Sequence, residues 1–387
     1  MKRMTGVFLL ILMICSLLPV SNAANIKQEA EPFSITAQSA VLMDQESGQV
    51  LFEKNAHEKR YPASVTKIMS LLLFMEAIDD KKLNLSDRVK ATREAVEKGG
   101  SQIWLKEGEQ MTADELLRAT AIGSANDACT ALAVHLAGSE AAFVRQMNER
   151  AKQLGMHDTV FENCTGLDDD TETHLTTAYD IALMSRALLA HEEIQTYTTV
   201  WMDSLRGGKT QLVNTNKLVR FYNGTTGLKT GTTNKAGCCV SASARRDGMH
   251  LIAVVLHAPS SNDRFSDAKM MLDWGFASFE SVTPDYDKTA IRAVPVRRGI
   301  KQSVEVQAPK LQKLLLKTGE KAKLQTTVEL ADDVFAPVEK GQELGSLTVS
   351  LNGKPLAEYP LCAAEDVRAR TLWDAFLRLL SALRVRA

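Results

Sequence analysis

The sequence lacks the marks of several large functional classes. It has no excess of charge of one sign: 46 Lys and Arg stand against 47 Asp and Glu, for a formal net charge of −1. That leaves no electrostatic footprint for nucleic acid, and no nucleic-acid partner is expected. Cysteines are few and scattered. If the N-terminal segment described below is removed, Cys15 goes with it. Cys129, Cys164, Cys238, Cys239 and Cys362 then remain, an odd set that is no disulfide framework. No Cys/His spacing suits zinc and there is no H-E-x-x-H, so neither metal nor cofactor is expected. There is no internal repeat. The longest apolar run, "VFLLILMICSLLPV", is short for a membrane span.

That run follows Lys2 and Arg3 and precedes the small residues of Ser21–Ala24. A positive start, an apolar middle and small residues at a cleavage point form the pattern of a secretory signal over 1–23. It predicts an exported, extracytoplasmic protein. Ile14 is too bulky for Cys15 to be a lipoprotein cysteine. With 387 residues, 45% hydrophobic and 24% charged, the remainder is long enough for two folded domains.

Alternation in "SAVLMDQESGQVLFEKN" (Ser39–Asn55) reads as a β-hairpin. A helix starting at Ser64 follows, apolar on nearly every side and therefore buried all round. A mostly helical stretch from about Ser86 to Leu189 has Thr112 and Thr177 as caps. Strands return after Thr210, with a hairpin closed by Asp247-Gly248. A helix over "DRFSDAKMMLDWGFASFE" completes the region. Strands at both ends of the region can share one antiparallel sheet covered by the central helices. From Pro284 to about Cys362 short strands and turns, including Asn352-Gly353, indicate a small all-β domain. Over 365–387, Leu372, Trp373, Phe376, Leu379, Leu380 and Leu383 share one helical face. Arg368, Arg370, Arg378, Arg384 and Arg386 make the segment basic. Such a helix suits an anionic membrane surface; the alternative is docking on its own protein or on a partner.

Lys67 is the anomaly in the buried helix, because a charge there is costly without a purpose. Ser64 lies three residues earlier, on the same helical face. A serine hydroxyl is a weak nucleophile until a base takes its proton. A desolvated lysine has a lowered pKa and can be that base. S-x-x-K alone is weak, since Ser266-Asp267-Ala268-Lys269 also matches. A second piece is Ser124-Ala125-Asn126, a polar turn between helices able to present a hydroxyl and an amide. Helix capping is the plain alternative, and Ser260-Ser261-Asn262 and Ser350-Leu351-Asn352 share the pattern. A third is Lys229-Thr230-Gly231, where Gly231 lets another backbone come close and a peptide substrate could add as a strand. Its decoy is Lys317-Thr318-Gly319.

In this order the three motifs are the signature of class A β-lactamases and penicillin-binding proteins. Within that superfamily the chain resembles the low-molecular-weight D-alanyl-D-alanine carboxypeptidases. The supporting stretches are "YPASVTKIMSLLL", "GSANDACTALA", "FENCTGLDDDTETHLTTAYDIALMSRAL", "NTNKL" and "GLKTGTTNKAGCC". The resemblance implies an α/β (α+β) penicillin-binding, β-lactamase-like domain over 32–283. Its antiparallel sheet is covered by helices, with an all-helical subdomain. An all-β domain over 284–364 and the amphipathic helix would follow.

It also implies that Ser64 is the acylated nucleophile and Lys67 its base, with Ser124 and Asn126 completing the proton network. Lys229 and Thr230, beside Gly231, would bind the terminal carboxylate of a peptidoglycan pentapeptide stem ending in D-Ala-D-Ala. The N–H groups of Ser64 and Thr232 would form the oxyanion hole, and Arg264 would be a second carboxylate-binding group. β-Lactams would acylate the same serine. Ala125 departs from the glycine common in this family and from the Asp often found in β-lactamases. His174 reads as a structural histidine pinning a loop, and Cys238 and Cys239 as packing residues. Two other readings stand beside this one. A β-lactamase of class A needs a Glu in an E-x-x-L-N setting after the second motif; Asp80-Lys81-Lys82-Leu83-Asn84 is the nearest match and precedes it. A non-catalytic wall-binding protein would usually have lost one of these residues.

Overall fold

The computed structural model describes residues 33–169 and 171–377. The signal expected over 1–23 and the last ten residues of the C-terminal helix lie outside the described residues.

The strand "MHLIAVVLHA" has apolar residues on both pleat faces, so it needs cover on both sides. It becomes β9 (Met249–Ala258), the middle strand of a five-stranded antiparallel sheet. Its partners are β1 (Ser39–Asp44), β2 (Val50–Lys54), β7 (Thr225–Thr233) and β8 (Gly237–Arg246), in the order β2-β1-β9-β8-β7. The opening hairpin and the closing strands thus share one sheet. Asp247 and Gly248, with φ of 49° and 81°, form the tight turn between β8 and β9.

Helices cover both faces. Leu42 and Leu251 touch Gly275 of α9 (Ser261–Ser278) on one face. On the other, Ser241 hydrogen-bonds Ser185 of α6 (Ala178–Leu189) at 2.8 Å. Behind α6 lies α1 (Lys67–Asp79), buried on nearly all sides as its composition requires. Against it pack α3 (Ala113–Ala121), α4 (Asn126–Ala137) and α5 (Glu140–Gln153). Thr112 and Thr177 accept bonds from the N–H groups of Glu115 and Asp180, capping α3 and α6.

The stretch expected to be mostly helical is more broken. A small β-hairpin, β3 (Arg88–Lys90) with β4 (Gln110–Thr112), and the short α2 (Arg93–Val96) precede α3. Residues 154–169 and 171–177 lie outside the helices and belong to a long loop. Strands return earlier than Thr210: after the short α7 (Gln195–Thr198), β5 (Met202–Leu205) pairs with β6 (Thr210–Val213), and a one-turn α8 (Leu218–Phe221) follows. Helix α1 begins at Lys67 rather than Ser64, which sits in a 3-10 turn over Ala63–Thr66.

Beyond α9 the described architecture is mainly β up to Ala363, with two 3-10 turns, and a helix begins at Leu372. β10 (Phe279–Val282) precedes the boundary expected at Pro284 yet pairs with β14 (Leu314–Lys317). A second sheet joins β11 (Val294–Arg297), β12 (Ser303–Val304) and β16 (Val334–Phe335). A third has β13 (Val306–Gln307), β18 (Lys354–Ala363), β17 (Glu343–Leu351) and β15 (Leu324–Leu330) in that order. Asn352 and Gly353, both at positive φ, turn β17 into β18. Separate small cores hold these sheets, around Val294, Val304 and Val367 and around Leu347, Val349 and Leu361.

Candidate active site

The 3-10 turn brings Ser64 and Lys67 together: Lys67 Nζ lies 3.0 Å from Ser64 Oγ. Ser64 is half-buried, whereas Lys67 is fully buried. Lys67 Nζ has two further contacts, Asn126 Oδ1 at 2.6 Å and the Thr165 carbonyl at 2.9 Å. Both of these oxygens can only accept. Asn126 is fixed in that orientation because its Nδ2 donates to the Gly99 carbonyl at 2.7 Å. A neutral lysine has two N–H bonds and one lone pair. The two acceptors take the hydrogens, and the lone pair is left facing Ser64 Oγ. Burial lowers the Lys67 pKa to about 8, partly opposed by nearby anionic groups including Asp127. The neutral base is thus within reach near neutral pH.

The Thr165 carbonyl is the piece that sequence reasoning missed, because a backbone oxygen carries no side-chain signature. The local cause is legible afterwards in "NCTG". Asn163 Oδ1 accepts from the N–H groups of Thr165 at 3.1 Å and Gly166 at 2.7 Å, folding a tight turn. Gly166 lies so close to the serine turn that an added Cβ would fall 1.8 Å from the Ala63 carbonyl oxygen. His174 pins the same loop. Its Nδ1 accepts from the Glu162 N–H at 3.1 Å, so the proton sits on Nε2, which donates to Thr66 Oγ1 at 2.9 Å. Burial pushes its pKa down to about 4. It is a neutral structural group.

Ser124-Ala125-Asn126 links α3 to α4. Ser124 is buried, with φ of 60°, a strained conformation for serine. Its hydroxyl has no hydrogen-bond partner among the described residues. Asp127, fully buried, accepts from the N–H groups of Ile103 (3.1 Å) and Leu105 (3.0 Å) and ties a surface loop beneath the triplet.

The third motif lies on β7, an edge strand. The pleat turns Gly231 towards the serine turn and Thr232 towards Arg264 of α9. A Cβ on Gly231 would stand 2.9 Å from Ser64 N and 2.8 Å from the Pro62 carbonyl. Glycine therefore lets β7 close on the serine turn itself; the approaching backbone is the protein's own. Lys229 is buried, with one hydrogen bond, to the Thr230 carbonyl at 3.0 Å. Its pKa is held well below the usual value by burial and by the charges of Lys67 and Arg264. An anion at Lys229 would relieve both effects. Thr230 Oγ1 donates to Thr215 Oγ1 at 2.7 Å, another partner the sequence did not single out. Arg264 is buried against the end of β7 and donates to the Gly231 carbonyl at 2.9 Å and Thr232 Oγ1 at 2.8 Å.

The decoys lie elsewhere and have structural work. Asp267, in the second S-x-x-K, accepts from Thr36 and Ala37 N–H groups. Ser260 caps α9, and Asn352 makes the β17–β18 turn. Asp80, first residue of the E-x-x-L-N-like stretch, pairs with Lys82 on the surface at 2.8 Å. It follows the far end of α1, about 19 Å of helix from Lys67. No group of His, Cys, Asp and Glu able to hold a metal occurs among the described residues.

A serine hydroxyl in contact with a buried, pKa-lowered amine is an arrangement suited to acyl transfer. The family model for D-alanyl-D-alanine carboxypeptidases matches residues 25–260. The chain belongs to that family, the S11 serine peptidases. The model for the C-terminal domain of penicillin-binding protein 5 matches residues 279–369, starting at β10. The S11 relatives include DacF of Bacillus subtilis, 40% identical over 373 residues and covering 95% of each chain, and DacC of Escherichia coli, 36% identical over 349 residues. The structure of penicillin-binding protein 5 from Haemophilus influenzae is 31% identical, with a TM-score of 0.76 over 88% of this chain and 100% of that one. Penicillin-binding protein D2 of Listeria monocytogenes, solved with ampicillin bound, is 32% identical. It gives a TM-score of 0.58 over 63% of this chain and 98% of that one.

Proposed function

We infer that the protein is a serine D-alanyl-D-alanine carboxypeptidase that trims peptidoglycan stem peptides and is acylated by β-lactams. The observation that carries the catalytic assignment is the arrangement around Lys67, whose two pure acceptors leave its lone pair aimed at Ser64 Oγ.

In the reading this supports, the terminal carboxylate binds at Lys229 and Thr230. Thr232 assists, and Arg264 supplies positive charge through the Thr232 hydroxyl. Ser64 Oγ attacks the carbonyl carbon of the penultimate D-Ala while Lys67 Nζ takes its proton. The N–H groups of Ser64 and Thr232 stabilise the oxyanion. Ser124 relays a proton to the departing D-Ala amine, and Asn126 holds Lys67 in place. Water then releases the acyl group from Ser64 by the same base. Family membership and a complete set of motif residues favour this over a non-catalytic wall-binding role. No carboxylate at the Asp80 stretch serves the deacylation step of a class A β-lactamase.

Peptidoglycan lies outside the cytoplasmic membrane, so the enzyme acts there. Export by residues 1–23 and membrane-surface contact by the part of 365–387 that follows the buried Val367 fit that location. The described start of the last segment has Leu372 and Trp373 exposed, with Trp373 stacked on Phe376 at 5.5 Å between ring centroids.

The test is D-Ala release from a peptide ending in D-Ala-D-Ala, beside Ser64→Ala, with mass spectrometry of a penicillin adduct. Release by the wild type alone and an adduct on Ser64 are expected. An adduct on another residue, or release by the variant, overturns the assignment.

A further inference from the structure

Trp104 stands out from its surroundings. Ile103 and Leu105 on either side are buried, but Trp104 is 76% exposed. Its φ of 59° lies in the left-handed region, a strained choice for a bulky residue. Such strain persists only where neighbouring bonds enforce it. Here they do: the N–H groups of Ile103 and Leu105 both donate to the buried Asp127 carboxylate. Asp127 is the neighbour of Asn126, which holds Lys67. The indole is thus propped outward by the same short segment that organises the catalytic base.

Beside Trp104 is an open pocket of about 880 Å³, rimmed by Gln102, Lys106, Arg206, Lys209 and Gln211. Both walls lead to the reacting centre. One wall belongs to the loop whose Gly99 carbonyl binds Asn126. The other is β6, which runs into Thr215, the partner of Thr230. Thr210, on the pocket wall, is at most about 17 Å along the chain from Thr215. An extended pentapeptide also spans about 17 Å. A stem with its terminal carboxylate at Lys229 can therefore place its other end, and the sugar that carries it, at this pocket.

We propose that Trp104 and the adjoining pocket bind the N-acetylated saccharide to which the stem peptide is attached. The flat C–H face of a pyranose ring packs on an indole, whose negative face attracts the polarised C–H groups. The ammonium groups of Lys106 and Lys209 meet the hydroxyl and acetamido oxygens, and Gln102 and Gln211, whose Nε2 each donate once to the Lys98 and Gly208 carbonyls, offer their second N–H. This inference rests on the carboxypeptidase reading for the reaction, but not for the binding.

The experiment compares kcat/KM for a disaccharide-pentapeptide with that for the same pentapeptide without sugar. The wild-type ratio should exceed one by about tenfold, the worth of a single stacked aromatic contact. Trp104→Ala should bring the ratio to about one and Trp104→Phe should keep part of it. In parallel, the peptide-free disaccharide is titrated against tryptophan emission. A quench in the wild type that is lost in Trp104→Phe is expected. Chains of several disaccharides separate the sources: a larger ratio than with one unit assigns the site to polymerised wall, an equal ratio to the sugar of a single precursor. A wild-type ratio of one, or an undiminished ratio in Trp104→Ala, overturns the proposal. A quench without D-Ala release from any substrate would instead overturn the carboxypeptidase reading and leave the saccharide site standing.

Discussion

The tripeptide Lys-Thr-Gly occurs twice, and the two copies have different fates. Lys229 is buried beside the serine turn, whereas Lys317 is exposed at the end of β14. Gly231 has backbone atoms of Pro62 and Ser64 within 3 Å of where a side chain would start. Gly319 has open space there and a φ of 84°, and its N–H donates to Glu280 Oε1 at 2.8 Å. In the first copy glycine is needed for close approach between two segments. In the second it is needed for a local turn. The regions around them differ in the same way. β9 is buried almost throughout, while β15 alternates half-buried and exposed residues. Burial in the covered region desolvates Lys229 and holds its pKa well below the usual value, whereas Lys317 stays solvated.

The comparison can be broken by substitution. The largest expected contrast is between the lysines. Lys229→Ala should lower kcat/KM for D-Ala release by about 10³-fold, on the scale of losing a group that binds developing or substrate charge. Lys317→Ala should leave it within about twofold. Similar losses from both would show that position in the fold does not separate the copies. Next come the glycines. Gly231→Ala must push β7 from the serine turn, costing about 1–3 kcal/mol in stability and most of the activity. Gly319→Ala should cost about 1 kcal/mol, for the left-handed backbone alone, with activity intact. Melting curves read beside D-Ala release would separate the two.

Two pH profiles sharpen the same contrast. The Lys67 base form is the deprotonated one, and its pKa is about 8. Acylation by penicillin should therefore rise with pH through about 8 and then level off. A flat profile from pH 6 to 9 would remove Lys67 as the base. Stability should also fall towards acid, but in a lower pH window. The folded pKa of His174 is about 4, below the 6.5 of a free imidazole, so the unfolded chain binds the extra proton between those values. Stability is full above pH 6.5 and falls by about 3 kcal/mol as pH drops to 4. His174→Gln should flatten that part of the denaturation profile. The smallest effect belongs to the β region, where Lys301 pairs with Glu365 in the open. Lys301→Gln should change stability by less than about 1 kcal/mol.

Much of this was legible in the sequence because it depends on side-chain type and period. The alternation at Ser39–Asn55 gave the hairpin, and the stretch ending in Met249–Ala258 gave a second hairpin closed by Asp247-Gly248. The Thr caps and the Asn352-Gly353 turn follow from local chemistry. The serine, the lysine and the two further motifs pointed to acyl transfer in their order along the chain. The helical stretch was over-read because short strands such as Arg88–Lys90 carry too few residues to show a period.

What the tertiary structure alone decided is which copy of each motif is brought to the serine turn and how its groups are tuned. The Thr165 carbonyl that completes the Lys67 arrangement comes from 98 residues away in sequence. It is placed by a loop held through His174 and Asn163. The Gly99 carbonyl that orients Asn126 and the Thr215 hydroxyl that meets Thr230 lie 27 and 15 residues from their partners, also outside the motifs they serve. Local sequence specifies which groups a segment offers. Desolvation and hydrogen-bond direction depend on what the rest of the chain packs around them, and those two quantities decide whether a lysine is a charge or a base.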